Sequence, residues 1–262
     1  MSYIKFLKSK NLSPNTIRIY SYYLKKWQHF IDDAQPNKTL VLKYIKLFNK
    51  KSPNTIRLVF ASLMSYFKYL KLNKLHNMCL NIKLPIAGIK FKQVIDLDNF
   101  NLQKKTIITN KWYQKRNWLI FVFCFSTGIR ISEIYQINKK AIQNNKIMIV
   151  GKGNKTRMVF IPKYTQKLLN EWNYDFIAIK SNQKYLSYKQ LNKIIKNIGN
   201  VIFNNQITPH DLRRSYATNL LRKGVDIKTV SELLGHNNIN TTSRYIHLSE
   251  DEIINKIQDI FD

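Results

Sequence analysis

The sequence predicts a mainly helical α+β fold, with helices along most of the chain, one small β-hairpin and two domains. Three observations predict it. Apolar residues recur at helical spacing behind capping signals through most of the 262 residues. Strict alternation with β-branched residues occurs on either side of one turn, GKGNKT at Gly151–Thr156. Between them, Asn77 to Lys92 holds no sustained period and contains Pro85 and Gly88, as a linker does. We therefore expect a helical domain over residues 1–80, a linker over 81–93 and a second domain over 94–262.

The first domain carries an internal echo: SPNTIR stands at Ser13–Arg18 and again at Ser52–Arg57. In each copy Ser suits a helix N-cap and Pro the first helical position, where its missing N–H costs nothing. Behind the first copy Ile17, Tyr20, Leu24, Trp27 and Ile31 recur at helical spacing; behind the second, Ile56, Phe60, Leu63, Phe67 and Leu70 do so. Two copies do not make a solenoid, and a bundle of about four helices is expected. Its polar faces carry Arg18, Lys25, Lys26, Arg57 and Lys68. Such a charged face is ordinarily just solvated; beside the motifs downstream it reads as a surface that follows a phosphate backbone.

The second domain opens near Val94. Lys115–Ser126 is apolar nearly all round and predicts a central buried helix ended by Gly128. Ile131, Ile134 and Ile137 suggest a short helix after Arg130. Lys146–Val150 and Arg157–Ile161 are the two hairpin strands. Tyr164–Ile179, with Leu168, Leu169, Trp172 and Phe176 on one face, and Tyr188–Ile198, with Leu191, Ile194, Ile195 and Ile198, predict amphipathic helices. Thr208 and Pro209 start another, with Asp211 at its positive end, Leu212, Tyr216 and Leu220 on its buried side and Gly224 as its stop. SEDE at Ser249–Glu252 is a capping box for a last helix, 249–262, whose stripe is Ile253, Ile257, Ile260 and Phe261.

Composition narrows the partners. Lys and Arg number 44 against 15 Asp and Glu, a formal net charge of +29. That excess repels itself in a compact chain unless a polyanion is the usual partner. An AT-rich genome would explain Lys over Arg but not the scarcity of acids, so nucleic acid is the expected partner. A membrane is not: no run approaches the ~20 apolar residues of a spanning helix. The opening MSYIKFLKSK lacks an apolar signal core, and a cytoplasmic, nucleoid-associated location is expected. Cys79 and Cys124 form neither a disulfide framework nor a metal spacing.

From Thr208 to Tyr245 the chain gathers His210, Arg213, His236 and Tyr245; upstream stand TGIRISE with Arg130 and GKGNKTR with Lys152. Cutting DNA without a metal requires a nucleophile, positive charge for the phosphorane and an acid for the departing sugar oxygen. The five His are scattered and no carboxylate pair sits beside them, so neither metal nor cofactor is expected. The planar fork of arginine matches two phosphate oxygens, which makes Arg130 and Arg213 the candidates for that charge. Lys152, on a hairpin turn, suits the general acid. His210 can hold the nucleophile's proton and His236 a non-bridging oxygen. A phenol, with a pKa of about 10, needs positive surroundings to attack. Each residue also has a plainer reading. Arg130 fits a helix start, His210 and Arg213 a basic pair on a DNA-binding helix, and Lys152 a solvated turn. Tyr245 is one of 15 tyrosines.

Together the three segments, in order and spacing, resemble the tyrosine recombinase (phage integrase) family over nearly the whole chain. GKGNKTR and the LLGH run look especially like the Xer subgroup and related small integrases. The resemblance implies a core-binding, SAM-like domain followed by a catalytic domain. It implies a catalytic set of Arg130, Lys152, His210, Arg213, His236 and the nucleophile Tyr245. Arg214 stands where the family often has another His. DNA contacts are expected from Arg18, Lys25, Lys26, Arg57, Lys68, Lys155, Arg157 and Arg214. The implied reaction joins double-stranded DNA at paired sites through a 3′-phosphotyrosyl bond and a Holliday junction, without metal or ATP. The implied assembly is a homotetramer on DNA, with helix 249–262 docked on a neighbouring protomer; a partner recombinase or DNA-bending protein is a further expected class of partner. Two other readings stand beside it. A non-catalytic DNA-binding regulator would use Val225–His247 as a helix-turn-helix but leaves TGIRISE and GKGNKTR unexplained. A type IB topoisomerase shares the chemistry but acts on one duplex.

Overall fold

The computed structural model describes residues 2–86, 94–106, 110–151 and 154–235. The chain divides into two compact units, Met1–Phe91 and Lys92–Asp262. Lys152, His236, Tyr245, the helix expected over 249–262 and most of the linker's second half lie outside the described residues.

The first unit is built of five helices among the described residues: α1 (Tyr3–Ser9), α2 (Pro14–Ile31), α3 (Lys38–Lys46), α4 (Pro53–Tyr69) and α5 (Asn73–Leu80). That is one more than the apolar spacing suggests. At seven residues α1 is too short to display a period, yet Ser2 caps it and it buries Tyr3 and Leu7. The two SPNTIR copies fold alike. Ser13 and Ser52 each accept a bond from the backbone N–H of the Thr three residues on, at 3.2 Å, and proline opens both helices. Trp27 and Phe67, from α2 and α4, meet Tyr44 of α3 in a fully buried core, and the Trp27 ring stands edge-on to Tyr44 at 5.2 Å. Arg18, Lys25, Lys26, Arg57 and Lys68 are all exposed.

The second unit is arranged around α7 (Trp112–Thr127). Every residue from Trp118 to Phe125 is buried, because α7 is covered by α8 (Lys163–Asn170), α9 (Tyr188–Phe203) and α10 (Pro209–Arg222). A helix apolar on all sides is stable only when enclosed in this way. Gly128 ends it in the left-handed region at φ 62°, where a side chain would also collide with the Tyr216 ring. The remaining elements are α6 (Leu97–Thr106), α11 (Ile227–Leu234) and two 3₁₀ turns, Ile131–Gln136 and Lys139–Ala141.

Strands β1 (Lys146–Val150) and β2 (Thr156–Phe160) pair antiparallel, with Met148 opposite Met158. Their inner face buries Ile147, Ile149 and Val159, and the alternate residues face outward. Two helices differ from expectation. The helix expected over Tyr164–Ile179 stops at Asn170. There Lys139 Nζ takes the Leu169 and Trp172 carbonyls, and the Trp172 indole donates to the Phe176 carbonyl. The apolar spacing of Trp172 and Phe176 is thus met by an irregular segment that enters the same core. The second, α9, runs to Phe203, five residues past the expected end, and stops where Asn204 adopts φ 48°.

Candidate active site

Gly128 turns the chain out of α7 and Arg130 then caps the 3₁₀ turn Ile131–Gln136. The carboxylate of Glu133, three residues on, accepts the Arg130 backbone N–H at 2.7 Å and its Nη1 at 3.0 Å. Glu133 is buried, with 5% of its side chain exposed, and a second guanidinium from β2 grips it. Arg157 donates Nη1 to Oε1 at 3.0 Å and Nη2 to Oε2 at 2.7 Å. Burial alone would raise the Glu133 pKa. The bonds from Arg157 and from the Arg130 backbone and side chain outweigh it and hold the carboxyl below its ordinary value. A buried carboxylate between two guanidinium groups is stable because both charges it faces are hydrogen-bonded to it.

From the other side, α10 contributes His210 and Arg213. Thr208 and Asp211 form the capping box that starts α10. His210, at its second position, is exposed. Arg213 points inward, 4% exposed, and donates Nη1 to the Gly128 carbonyl at 2.7 Å and Nη2 to the Leu234 carbonyl at 2.5 Å. It therefore ties the turn before Arg130 to the end of α11.

That helix end is the focus of the site. Arg157 Nε reaches the Leu233 carbonyl at 3.1 Å, Arg213 the Leu234 carbonyl, and Arg130 Nη2 makes a longer 3.5 Å approach to the Gly235 carbonyl. Three guanidinium groups, drawn from a turn, a strand and a helix, meet three successive carbonyls. Carbonyls in the last turn of a helix lack intrahelical partners and carry its negative pole, so cations are favoured there. Gly235 caps α11 at φ 62°, and the next residue in sequence is His236.

Of the residues singled out by sequence, Arg130 and Arg213 meet at the end of α11, and His210 lies three residues before Arg213 on α10. Lys155 is exposed at the hairpin and Arg214 is half-buried on α10. Arg157, grouped by sequence with the DNA contacts, differs: 8% of its side chain is exposed and its fork faces Glu133 rather than solvent. Sequence reasoning passed over Glu133. Its signal was present, an acid three residues after Arg130 at a helix start, which is the capping-box spacing. Tyr216 was read only as core. Burial raises its phenol pKa although Arg157 and Arg213 pull it down, so this neighbouring tyrosine is held in its neutral form.

Residues 97–252 match the phage integrase family, and residues 1–74 match the phage integrase N-terminal SAM-like domain. The chain is 31% identical over 254 residues to a tyrosine recombinase XerA of Pyrococcus horikoshii, covering 92% of this chain and 85% of that one. It is 28% identical over 284 residues to a tyrosine recombinase XerD of Staphylococcus epidermidis, covering 96% and 94%. Among solved structures, a post-cleavage complex of the XerH site-specific recombinase with palindromic difH substrate matches with a TM-score of 0.78 at 23% identity, covering 97% of this chain and 82% of that one. A lambda integrase dimer on a COC' core site matches at 0.74 and 14% identity, covering 93% and 92%. At these identities the two structures establish a common fold.

Proposed function

We propose, since this chain belongs to the phage integrase (tyrosine recombinase) family, that Tyr245 is its DNA-cleaving nucleophile. Arg130, Lys152, His210, Arg213 and His236 complete the site. The chain is a site-specific DNA recombinase. The observation that carries the residue assignment is the gathering of Arg130 and Arg213 at the end of α11, one residue before His236.

In this reading the Tyr245 oxygen attacks the scissile phosphorus and its proton passes to His210. The bond from phosphorus to the 5′ sugar oxygen breaks as Lys152 protonates that oxygen. Arg130, Arg213 and His236 stabilise the extra negative charge of the phosphorane, the term that most often dominates such catalysis. The product is a 3′-phosphotyrosyl bond and a free 5′-hydroxyl. The 5′-hydroxyl of a partner duplex then attacks the phosphotyrosine and releases the phenol, so the energy of the broken bond is retained and ATP is not consumed. Repetition on the second strand pair resolves a Holliday junction. Assembly as a homotetramer on paired sites, through segment 249–262, and action in the cytoplasm on the nucleoid belong to the same proposal.

The test uses the duplex that the protein itself selects from a random-sequence pool, nicked beside the cleavage point so that the covalent adduct accumulates. An adduct resistant to denaturant supports the reading; recombination between two copies of that duplex separates it from a topoisomerase. Absence of any adduct on selected duplexes would overturn it.

Two further outcomes are expected. Affinity for duplex DNA should fall steeply with salt, with a log–log slope of several units, as exposed Arg18, Lys25, Lys26, Arg57, Lys68 and Lys155 displace counterions; a flat slope would sever the basic surface from DNA. Lys152→Ala should cleave ordinary DNA poorly yet recover when sulfur replaces the 5′-bridging oxygen, because a thiolate leaves without a general acid. Equal loss on both substrates would assign Lys152 to binding.

A further inference from the structure

The proposed mechanism leaves the largely buried side chain of Arg157 without a role, and its surroundings are unusual. Its fork is bidentate on Glu133, its Nε is bonded to the Leu233 carbonyl, and 8% of the side chain is exposed. Two glycines press on it. A Cβ on Gly151 would stand 3.2 Å from Arg157 Nη1 and 3.5 Å from Glu133 Oε1; a Cβ on Gly235 would stand 3.1 Å from Arg157 Cδ. Each glycine immediately precedes a residue of the proposed site, Lys152 after Gly151 and His236 after Gly235. Glu133 in turn fixes the Arg130 backbone and side chain.

We propose that Arg157 is a positioning residue of the recombinase site: one guanidinium sets Arg130 through Glu133 and fixes the backbone from which Lys152 and His236 depart. The inference rests on the site reading above. Arginine is required because three directional bonds radiate from one rigid plane, two to the carboxylate and one to a carbonyl; an ammonium offers no such fork. The glycines follow from the same geometry, since a methyl group at Gly151 would press on the fork itself and one at Gly235 on the Cδ of its stem, each tight enough that the neighbour must give by a few tenths of an ångström. Small displacements of reacting groups are costly: a misplacement of about 1 Å can slow an enzyme on the order of 100-fold.

The experiment compares Arg157→Lys and Arg157→Gln with the wild-type full chain on the nicked selected duplex. It measures DNA affinity against salt and the single-turnover rate of adduct formation at saturating DNA. Positioning predicts affinity and salt slope within about 2-fold of wild type and an adduct rate lower on the order of 100-fold. A DNA contact would lower affinity and reduce the salt slope by about one, with the saturated rate retained. That result overturns the proposal, as does loss of affinity in step with rate, or no loss of rate. Should the Arg157 variants lose their cooperative melt, Gly151→Ala takes their place: it keeps the ion pair and moves it, and its adduct rate should fall with affinity intact. A wild-type rate in Gly151→Ala overturns the proposal. Tyr245→Phe runs alongside. An adduct persisting there overturns the site reading, whereas a wild-type rate in Arg157→Lys with no adduct in Tyr245→Phe overturns positioning alone.

Discussion

Tyr245→Phe is expected to bind duplex DNA with wild-type affinity and to form no covalent adduct. The substitution removes one oxygen and leaves the ring, so shape and net charge at neutral pH are unchanged; what disappears is the atom proposed to bond to phosphorus. The effect is all or none rather than graded, because the phenylalanine ring carries no oxygen to attack in its place. Tyr216, which lies in the field of Arg157 and Arg213, is kept protonated by burial, and a neutral phenol is a poor nucleophile. Denaturing gels of protein mixed with the nicked duplex read the result directly. An adduct surviving in Tyr245→Phe would move the nucleophile to another of the 15 tyrosines, and peptide mapping of that adduct would name it.

Arg213→Lys should lose cleavage by at least 10²–10³-fold, on the order of the loss when one preorganised donor is removed from an oxyanion site. Charge is preserved, so a loss of this size isolates geometry. The wild-type fork spans the Gly128 and Leu234 carbonyls while 4% exposed. A lysine ammonium is a single point on a flexible stem and cannot hold both while facing a phosphate. Each carbonyl left buried without its donor costs about 1–3 kcal/mol, so the melting temperature of the catalytic unit should fall as well. Single-turnover cleavage at saturating DNA, read beside thermal unfolding, separates the two losses. Near-wild-type cleavage would remove Arg213 from the reacting phosphate.

The legible part of this chain is its local chemistry. Ser13, Ser52, Thr208 and the prolines behind them fix helix starts within a few residues of sequence, and those starts stand in the structure as expected. The run Trp118–Phe125 announces a helix with no solvent face, and it has none. Two features were not legible because the deciding partner is remote. Trp172 and Phe176 keep helical spacing in a segment that is not a helix, because Lys139, some 30 residues earlier in the chain, takes its carbonyls. Arg157 shares the inner strand face with Val159, opposite Ile149, but its charge grouped it with the DNA contacts, and nothing in the local sequence shows that Glu133, 24 residues upstream, accepts it. The burial of Arg157 and the place of Glu133 are one feature, since neither residue is interpretable without the other. In the site, Arg130, His210 and Arg213 were named from motif spacing, but spacing carries no information about the carbonyls of Leu233, Leu234 and Gly235 that gather the arginines.

The enclosure of α7 has a consequence for how the protein is made. Its covering helices α8, α9 and α10 all follow it in the chain, and the last of them ends at Arg222, 95 residues after Thr127. A ribosome adds roughly 5–20 residues each second, so the nascent chain carries the greasy segment FVFCF without its full cover for about 5–20 s of translation. During that interval the first unit, complete by residue 91, folds on its own schedule while the catalytic unit waits for its lid of helices. Newly made chains are thus most vulnerable to self-association before synthesis ends, and the lysine-rich segments on either side supply the mutual repulsion that keeps neighbouring polysome products apart.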